Sequence, residues 1–220
     1  MTPRAGHYEP IAREGLPYLL VPLFLAFVLW WSGHQYLAAF FLIIALSIAL
    51  FFRNPQRTPA VTEDDAVLSP ADGRVVDVTE AVVSPNLAAA DLKRVSIFMS
   101  LFDVHVNRSP ISGIVKKITY TRGRFLDARE KDSSHLNEQN SLVLDGEVGT
   151  IEVVQVAGKV ARRISCWVRT GDALARGERF GLIHFGSRLD VYLPAEFHPL
   201  VSVGSRVKAG VTAIAGKTRG

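Results

Sequence analysis

The chain has 220 residues, 48% of them hydrophobic, and a formal net charge of +4. This length allows one or two domains. A single cysteine, Cys166, excludes an internal disulfide and any multi-cysteine metal site, and its apolar surroundings favour a buried core thiol. No aromatic-interleaved basic motif accompanies the positive charge, so we expect no nucleic-acid partner.

The first 52 residues contain two uncharged apolar runs, Leu16 to Trp31 and Tyr36 to Phe52. Each is close to the minimum of about 17 residues that crosses a hydrocarbon core. Ser32 to Gln35 between them suits a tight turn. The pair therefore predicts a helical hairpin that anchors the chain in a membrane, either spanning it or re-entrant. A signal peptide would account for the first run but not for the second.

Arginines flank the two apolar runs on both sides and are missing from the turn between them. They are Arg4, Arg13, Arg53 and Arg57. Because cytoplasmic segments carry an excess of Lys and Arg, both ends of the pair are predicted to lie in the cytoplasm. We expect a cytoplasmic tail at 1–14, a membrane anchor at 15–52 and a domain on the cytoplasmic face at 53–220. Its basic charge would attract anionic lipid headgroups.

The sequence after residue 52 predicts a mainly β domain. Short runs that are β-branched or alternating are separated by Gly, Pro, Asn and Asp, as in strands joined by turns. The predicted strands are 67–68, 73–78, 95–99, 114–120, 141–144, 150–156, 164–168, 179–185 and 188–193. Helix signals are weak, with one or two turns expected at Pro85 to Lys93. Such spacing favours a compact sandwich or barrel over βαβ units.

A short internal repeat narrows the fold class. Val168 to Gly177 and Val201 to Gly210 each hold two glycines six apart, with an apolar residue three after the first. A turn-strand unit used twice is typical of the barrel-sandwich modules that carry lipoyl and biotinyl groups. The repeat brackets Gly186-Ser187, so a cut there would separate two parts of one interlocked sheet.

Gly186-Ser187 lies between two predicted strands and is not a nucleophile elbow, because Phe185 and Leu189 stand where that motif needs glycines. A Gly-Ser pair is most often a turn. The serine hydroxyl can also attack the carbonyl of the preceding residue, which glycine leaves uncrowded. The ester so formed can undergo β-elimination, which cuts the chain and leaves a dehydroalanine. Hydrolysis then gives a pyruvoyl group and ammonia.

Self-cleavage of this kind needs a base within hydrogen-bond reach and a group that orients the base. His105 stands apart among the six histidines, because it follows the predicted strand 95–99 where the chain becomes irregular. A structural role is the common alternative for one histidine. Asp72 can be the orienting carboxylate, although an Asp-Gly pair is also a turn signal. His135 and His184 are the other choices for the base.

Several blocks of the chain, in this order, resemble the short bacterial form of the phosphatidylserine decarboxylases. They are Phe-Phe-Arg-Asn-Pro at 51–55, Ser-Pro-Ala-Asp-Gly at 69–73, Met99 to Pro110 with Asp-Val-His-Val-Asn-Arg, His-Leu-Asn-Glu-Gln-Asn at 135–140, and Phe-Gly-Ser-Arg-Leu-Asp-Val at 185–191. Each block alone is a weak signal. The resemblance is specific because all the blocks occur in the order typical of the family, and together they span nearly the whole chain.

The resemblance implies self-cleavage at Gly186-Ser187 into a large chain, 1–186, and a small chain, 187–220. It implies Asp72, His105 and Ser187 as the Asp-His-Ser set for that cleavage. The small chain would begin with the pyruvoyl cofactor made from Ser187. Its ketone would form a Schiff base with phosphatidylserine, act as the electron sink for decarboxylation and release phosphatidylethanolamine. The resemblance places this reaction at the inner membrane face, and the mechanism needs no metal.

One departure from the family pattern concerns Arg108. Longer members carry a second histidine at this place, three residues after the position of His105. We therefore give His105 both tasks, base in the cleavage and proton donor to the carbanion. Which group protonates the carbanion stays open, and so do the acyl-chain preference and the formation of a homo-oligomer.

Other functions compete with this one. A membrane-anchored carrier or adaptor with a lipoyl-like module would need an exposed lysine at a hairpin tip, and Gly-Ser-Arg at 186–188 offers none. A metallopeptidase is disfavoured because the chain has no H-E-x-x-H motif. A pyruvoyl enzyme that acts on a soluble amino acid would not need the anchor.

Overall fold

The computed structural model describes residues 9–60, 65–87, 91–126, 136–159, 163–184 and 187–217. The chain divides into two compact units, Met1–Gln56 and Arg57–Gly220. The assignment of 1–14, 15–52 and 53–220 to tail, anchor and catalytic domain stays a prediction.

Two apolar helices form the N-terminal unit. A 3-10 turn at Arg13–Gly15 leads into α1, Leu16–Trp31, and α2 follows at Gln35–Phe51. The Ala12 N–H donates to the Phe52 carbonyl at 2.8 Å, which ties the start of the first helix to the end of the second. The two helices therefore form a hairpin.

The surface of this hairpin is apolar. Trp31 and Tyr36, on either side of the turn, are 83% and 96% exposed. By length and composition, the segment Arg13–Trp31 is long and apolar enough to cross a membrane, whereas Gln35–Phe51 is a shorter apolar helix. These features favour membrane association. The orientation of the hairpin stays a prediction.

The second unit is mainly β, as the sequence predicts. Its strands are short to medium in length and connected by turns. They are β1 Ala66–Leu68, β2 Gly73–Val82, β3 Leu92–Met99, β4 Val106–Arg108, β5 Gly113–Thr121, β6 Gln139–Gly146, β7 Gly149–Ala157, β8 Ile164–Cys166, β9 Ala173–Leu174, β10 Arg179–Ile183, β11 Ser187–Leu193, β12 Phe197–Pro199, β13 Arg206–Val207 and β14 Ala213–Lys217.

The strands form three antiparallel sheets. The largest has the order β13-β2-β3-β11-β7-β6-β5-β9, and two three-stranded sheets have the orders β1-β14-β12 and β4-β10-β8. The hydrophobic core includes Val75, Ile97, Leu189, Val191 and Val153 from the inner face of the large sheet. Alternation along β11 places Ser187 on the same inner face as Leu189 and Val191.

The helical turns expected at Pro85 to Lys93 are wrong for the residues that the structure describes. Residues 85 and 86 form a bend, and Leu92 and Lys93 already belong to β3. The Ser84 hydroxyl accepts the N–H groups of Asn86 and Leu87 at 3.2 and 2.8 Å. A local acceptor of this kind replaces the helical hydrogen bonds. Residues 88–90 lie outside the described residues.

Two similar halves build the second unit. The first half comprises β1, β2, β3, β11, β13 and β14, and the second comprises β4, β5, β6, β7, β9 and β10. The order of the large sheet is the same from either edge, since β13-β2-β3-β11 mirrors β9-β5-β6-β7. The β1–β14 pair likewise matches the β4–β10 pair. This arrangement agrees with the predicted barrel-sandwich fold.

The repeat seen in the sequence supplies one turn to each half. Gly171 and Gly204 have φ values of 92° and 95°, and Gly177 and Gly210 have φ values of 80° and 68°. Residues with a side chain rarely adopt this left-handed conformation, which explains why both turns use glycine at the same two places.

A second repeat was missed in the sequence. Ser-Pro-Ala-Asp-Gly at 69–73 precedes β2, and Ser-Pro-Ile-Ser-Gly at 109–113 precedes β5. The two turns exchange backbone bonds: Leu68 N–H donates to Pro110 and Arg108 N–H to Pro70, both at 2.9 Å. Asp72 in the first half therefore corresponds to Ser112 in the second.

Candidate active site

Ser187 occupies the first position of β11, in the middle of the large sheet. It pairs with Met99 of β3 on one side and with Ala157 of β7 on the other. The residue is fully buried, and its hydroxyl has no hydrogen-bond partner among the described residues. A buried polar group left unpaired costs about 1–3 kcal/mol, which marks it as a candidate for chemistry. Gly186 and Phe185, named with it in the sequence, lie outside the described residues.

The loop from residue 100 to residue 104 links the partner of Ser187 to the candidate base. It begins after Met99 and ends at His105, whose carbonyl accepts the Ile183 N–H at 3.4 Å. Ile183 is the last residue of β10, four before Ser187. The structure therefore brings His105 and Ser187 to the same end of the sheet.

His105 is buried, and its Nδ1 lies 2.9 Å from the Asp103 carbonyl oxygen. A carbonyl only accepts, so Nδ1 carries the hydrogen and Nε2 is the acceptor nitrogen of the neutral ring. This tautomer is the one a general base requires. The carbonyl of Asp103 holds it, a contact within the same loop that sequence reasoning missed.

Asp72 is buried and faces two donors. The Arg57 guanidinium binds both carboxylate oxygens, with Nη2 at 2.7 Å from Oδ2 and Nη1 on Oδ1. The Ala209 N–H donates to Oδ1 at 2.8 Å. Among the described residues, the hydrogen bonds of Asp72 go to these two partners and not to His105. Sequence reasoning used Arg57 only to orient the anchor.

The turn that holds Asp72 nevertheless lies near the serine. The strand registers pair Phe98 of β3 with Arg74 of β2 on one side and with Arg188 of β11 on the other. Neighbouring strands lie about 4.8 Å apart, so the backbone just before Arg74 is about 10 Å from Ser187. The structure thus gathers Asp72, His105 and Ser187 at one end of the sheet, with Asp72 and His105 bound to different partners.

Arg108 is buried where longer relatives are expected to have a second histidine. Its Nη1 donates to the Gly177 carbonyl at 2.9 Å. A guanidinium stays protonated and cannot act as a base. His184, the other described histidine close in sequence to Ser187, is buried with Nε2 3.3 Å from the Ser165 hydroxyl. His135 lies outside the described residues.

A chain of buried side-chain amides ends at the partner of Ser187. Asn140 donates to Gln155 at 2.9 Å, Gln155 donates to Asn107 at 2.8 Å, and the Asn107 amide lies 3.7 Å from the Met99 sulfur. This chain fixes β4, β6 and β7 against the end of β3. Asn107 and Asn140 belong to two of the blocks singled out in the sequence, but their contact was not foreseen.

The other neighbour of Ser187 is held in a similar way. Asn137 donates to the carbonyl of Ala157 at 2.8 Å and to that of Leu126 at 2.9 Å. Its Oδ1 accepts the Leu126 N–H at 2.8 Å. Rigid support on both sides is what a reactive group needs for a fixed geometry.

The site contains no visible arrangement for a metal. Among the described ranges, no group of three or more His, Cys, Asp or Glu side chains is placed to hold an ion. The carrier alternative gains no support from the β6–β7 hairpin, whose tip is Glu147-Val148 and presents no lysine.

Comparison with known proteins decides the family. The family model described as Phosphatidylserine decarboxylase matches residues 44–215. The chain belongs to the phosphatidylserine decarboxylase family. It is therefore an enzyme of the carboxy-lyase class, as the sequence blocks predict.

Two curated members of the phosphatidylserine decarboxylase family are similar over almost their whole length. Both are named phosphatidylserine decarboxylase proenzyme. The one from Geotalea uraniireducens (strain Rf4) is 48% identical over 205 residues, which cover 92% of this chain and 94% of the relative. The one from Pelobacter propionicus (strain DSM 2379 / NBRC 103807 / OttBd1) is 45% identical over 213 residues, 93% and 96% of the two chains.

Proposed function

We propose that this chain is a proenzyme that cuts itself between Gly186 and Ser187 and then decarboxylates phosphatidylserine to phosphatidylethanolamine. The observation that carries the proposal is the Ser187 hydroxyl, which is fully buried, unpartnered among the described residues and located at the start of the central strand. The names of the two relatives, both proenzymes, support the same reading.

Cleavage begins when Ser187 Oγ attacks the carbonyl carbon of residue 186. His105 Nε2, the acceptor nitrogen of its ring, takes the hydroxyl proton and returns it to the leaving backbone nitrogen. The C–N bond breaks and an ester remains. Loss of the Cα hydrogen of residue 187 then breaks the ester C–O bond, which frees the carboxylate of residue 186 and leaves dehydroalanine. Water converts this to the pyruvoyl group and ammonia.

We assign Asp72 to the same step as the carboxylate that stabilises positive charge at the base. Its side chain is held by Arg57 and the Ala209 N–H, so its position is fixed before the reaction begins. The Asp103 carbonyl orients His105 directly, and Asp72 acts with it at longer range. This division of the orienting task is supported by the two separate sets of hydrogen bonds.

The residues around Ser187 fit a pyruvoyl group made from that serine. The hydroxyl has no described hydrogen-bond partner, so no described bond must break when the serine reacts. The group supplies an electron sink for the carboxylate that leaves as carbon dioxide. His105 then donates a proton to the substrate carbon, the second of its two tasks. No metal takes part in the proposal.

The backbone would keep both products of the cut together. Strand β11 of the small chain, 187–220, pairs with β3 along its whole length and with β7 for most of it. Strands β13 and β14 of the same segment pair with β2 and β1 of the large chain, 1–186. The new terminus at residue 187 therefore stays within the site.

The substrate is a lipid, and the proposed location follows from the N-terminal hairpin. Its apolar surface would hold the protein at the inner membrane. The arginines on both sides of the hairpin favour a catalytic domain on the cytoplasmic face. The net charge of +4 would add attraction to anionic lipids.

The decisive experiment is the intact mass of purified full-length protein under denaturing conditions. We expect two species, residues 1–186 and 187–220, the smaller with a pyruvoyl terminus. Reduction with cyanoborohydride in the presence of phosphatidylserine should attach the lipid to the small chain only. Ser187→Ala should give one uncut, inactive chain.

Ser96→Ala provides a matched control for that experiment. Ser96 is also fully buried, and its hydroxyl likewise has no described partner, but it lies on the opposite face of the sheet. This variant should cut and decarboxylate normally. A single full-length species in an active preparation, or a lipid adduct on a lysine of the large chain, would refute the proposed mechanism.

A further inference from the structure

Two apolar side chains near the candidate site are exposed to solvent. Phe102 is 87% exposed and Leu101 is 50% exposed, at the turn between β3 and β4. This turn starts after Met99, the partner of Ser187, and ends at His105. Adjacent large apolar groups at the tip of one loop, next to charged groups, are typical of an interaction surface.

The loop that presents these residues is held firmly. The Ser100 N–H and hydroxyl donate to Asp103 Oδ2 at 2.8 and 2.7 Å. The Asp103 N–H donates to the Ser100 carbonyl at 3.0 Å, and the Asp103 carbonyl binds His105 Nδ1. The apolar tip is therefore rigidly connected to the candidate base.

Cationic side chains accompany the tip. Arg206 Nη1 lies 3.9 Å from Asp103 Oδ1, and its side chain is 74% exposed. Arg74 is exposed and lies across from Arg206 in the β2–β13 ladder. Arg74 Nη1 donates to the Gly204 carbonyl at 3.0 Å. Two arginines thus lie in this region with the single Asp103 carboxylate, which Ser100 already binds. The balance is positive, which complements an anionic phosphate surface.

We propose that Leu101, Phe102, Arg74 and Arg206 form an apical patch that docks on an anionic bilayer. The two apolar side chains enter the interfacial region, and the two arginines contact lipid phosphates. The proposal rests on the proposed function, because only a lipid substrate requires this contact. Ser187 is fully buried. A headgroup must therefore leave the bilayer surface to reach it, and the patch shortens that path.

The kinetic test uses the full chain and the variant Phe102→Asp. Its control is Val83→Asp, which changes a residue that is 81% exposed just after β2, outside the patch. With phosphatidylserine in phosphatidylcholine vesicles, Phe102→Asp should raise the lipid concentration for half-maximal rate about tenfold. With a short-chain, monomeric phosphatidylserine, its rate should equal that of the parent. Val83→Asp should match the parent on both substrates.

A second measurement detects the contact without turnover. Phe102→Cys and Val83→Cys are each made in a Cys166→Ser background and labelled with an environment-sensitive fluorophore. Vesicles containing phosphatidylglycerol, an anionic lipid that is not the substrate, should shift the emission of the label at 102 to the blue and leave the label at 83 unchanged. Arg206→Gln combined with Arg74→Gln should reduce the shift at 102.

The outcomes separate the two proposals. No decarboxylation of either substrate by the parent would refute the proposed function, and the fluorescence shift still reports the contact. Equal losses on vesicles and on monomeric lipid, or no shift at position 102, would overturn the docking proposal. A change of oligomeric state in Phe102→Asp without loss of the vesicle contact would also overturn it, because the patch would then be an interface between copies of the chain.

Discussion

The two halves of the β unit contain the same Ser-Pro turn, at 69–73 and at 109–113, but its fourth residue makes different contacts in each. In the second half, the Ser112 hydroxyl accepts the Arg176 N–H at 3.0 Å. In the first half, Asp72 accepts the corresponding N–H of Ala209 at 2.8 Å and also binds Arg57. A neutral hydroxyl is enough to hold this turn. The turn itself therefore does not require a charge at Asp72, whose carboxylate also binds Arg57 and is proposed to act in the chemistry.

The halves differ again at the end of the central strands. Arg74, Phe98 and Arg188 in the first half correspond to Ile114, Asp145 and Thr150 in the second, as the paired registers show. Ser187 therefore corresponds to Gly149. In the second half, the two-residue turn Glu147-Val148 closes this end. In the first half no such turn joins β3 to β11, and this end carries Ser187, with His105 contributed from the start of the second half.

The largest effect is expected from the base, because the other half has no histidine at the corresponding place. Four residues before the Ser-Pro turn, the first half has Asp65 where the second half has His105. His105→Gln keeps a polar side chain but removes the basic nitrogen. Cleavage should slow by about 10²–10⁴-fold. Intact mass over time measures this rate, and normal processing would transfer the role to His184 or His135.

The next prediction replaces Asp72 with the serine found at the corresponding position, 112, of the second half. Asp72→Ser should keep an acceptor for the Ala209 N–H but lose the Arg57 ion pair, so stability should fall. Cleavage should slow by about 10²-fold, because the carboxylate near the base is lost. The reciprocal control, Ser112→Ala, should lower the free energy of unfolding by about 1 kcal/mol and leave cleavage unchanged. Mass spectrometry and thermal melts distinguish the two effects. Equal cleavage in Asp72→Ser and the parent would show that the charge is dispensable.

A third variant places a serine at residue 149, the position in the second half that corresponds to Ser187. Gly149→Ser should not create a new cut, because Asp65 and not a histidine occupies the place that corresponds to His105. Gly149 has a φ of 131°, a conformation that a side chain disfavours, so stability should fall by about 1–3 kcal/mol. The mass pattern should stay at two chains with the parent boundaries. A fragment that begins at residue 149 would contradict this interpretation.

The smallest effect concerns stability in acid, to which one aspartate with a lowered pKa in each half contributes. For Asp77, burial alone would raise the pKa, but bonds from Thr79 and Arg94 outweigh it and lower the pKa. In the second half, the Thr150 hydroxyl and Lys116 lower the pKa of Asp145. A lowered pKa adds stability above the unfolded value, and this is lost as pH falls below about 4. Asp77→Asn and Asp145→Asn should each flatten the acid side of the stability profile slightly, measured by melts of uncut Ser187→Ala protein. An unchanged acid side in both would contradict the assignment.

Sequence patterns predict the strands and turns whose conformation is set by residues close together in the chain. Alternating β-branched runs located most strands, and the glycine pairs at 171 and 177 and at 204 and 210 predicted the repeated turn. The similar Ser-Pro turns at 69–73 and 109–113 carry a sequence signal of the same kind. The expected helix at 85–93 failed because Ser84 binds the backbone that follows it and Asp91 has a φ of 56°.

The sequence names the proposed reactive residues but not their contacts. Ser187, His105 and Asp72 follow from chemistry and family resemblance. The Arg57–Asp72 pair and the chain Asn140–Gln155–Asn107 depend on strands brought together by the fold. Asn and Gln have no periodic signal that marks such a contact. Only the fold that brings β4, β6 and β7 together shows which amides meet.

The strands after residue 187 have a consequence for how the protein folds. β11, β13 and β14 are interleaved with β3, β7, β2 and β1, which precede the proposed cut. Before the cut, the peptide bond keeps these strands at a high effective concentration for one another. After such a cut, refolding would be a second-order encounter between a 186-residue and a 34-residue chain and would become slower on dilution. The processed enzyme would then be assembled only once, and its lifetime would be set by the rate of unfolding.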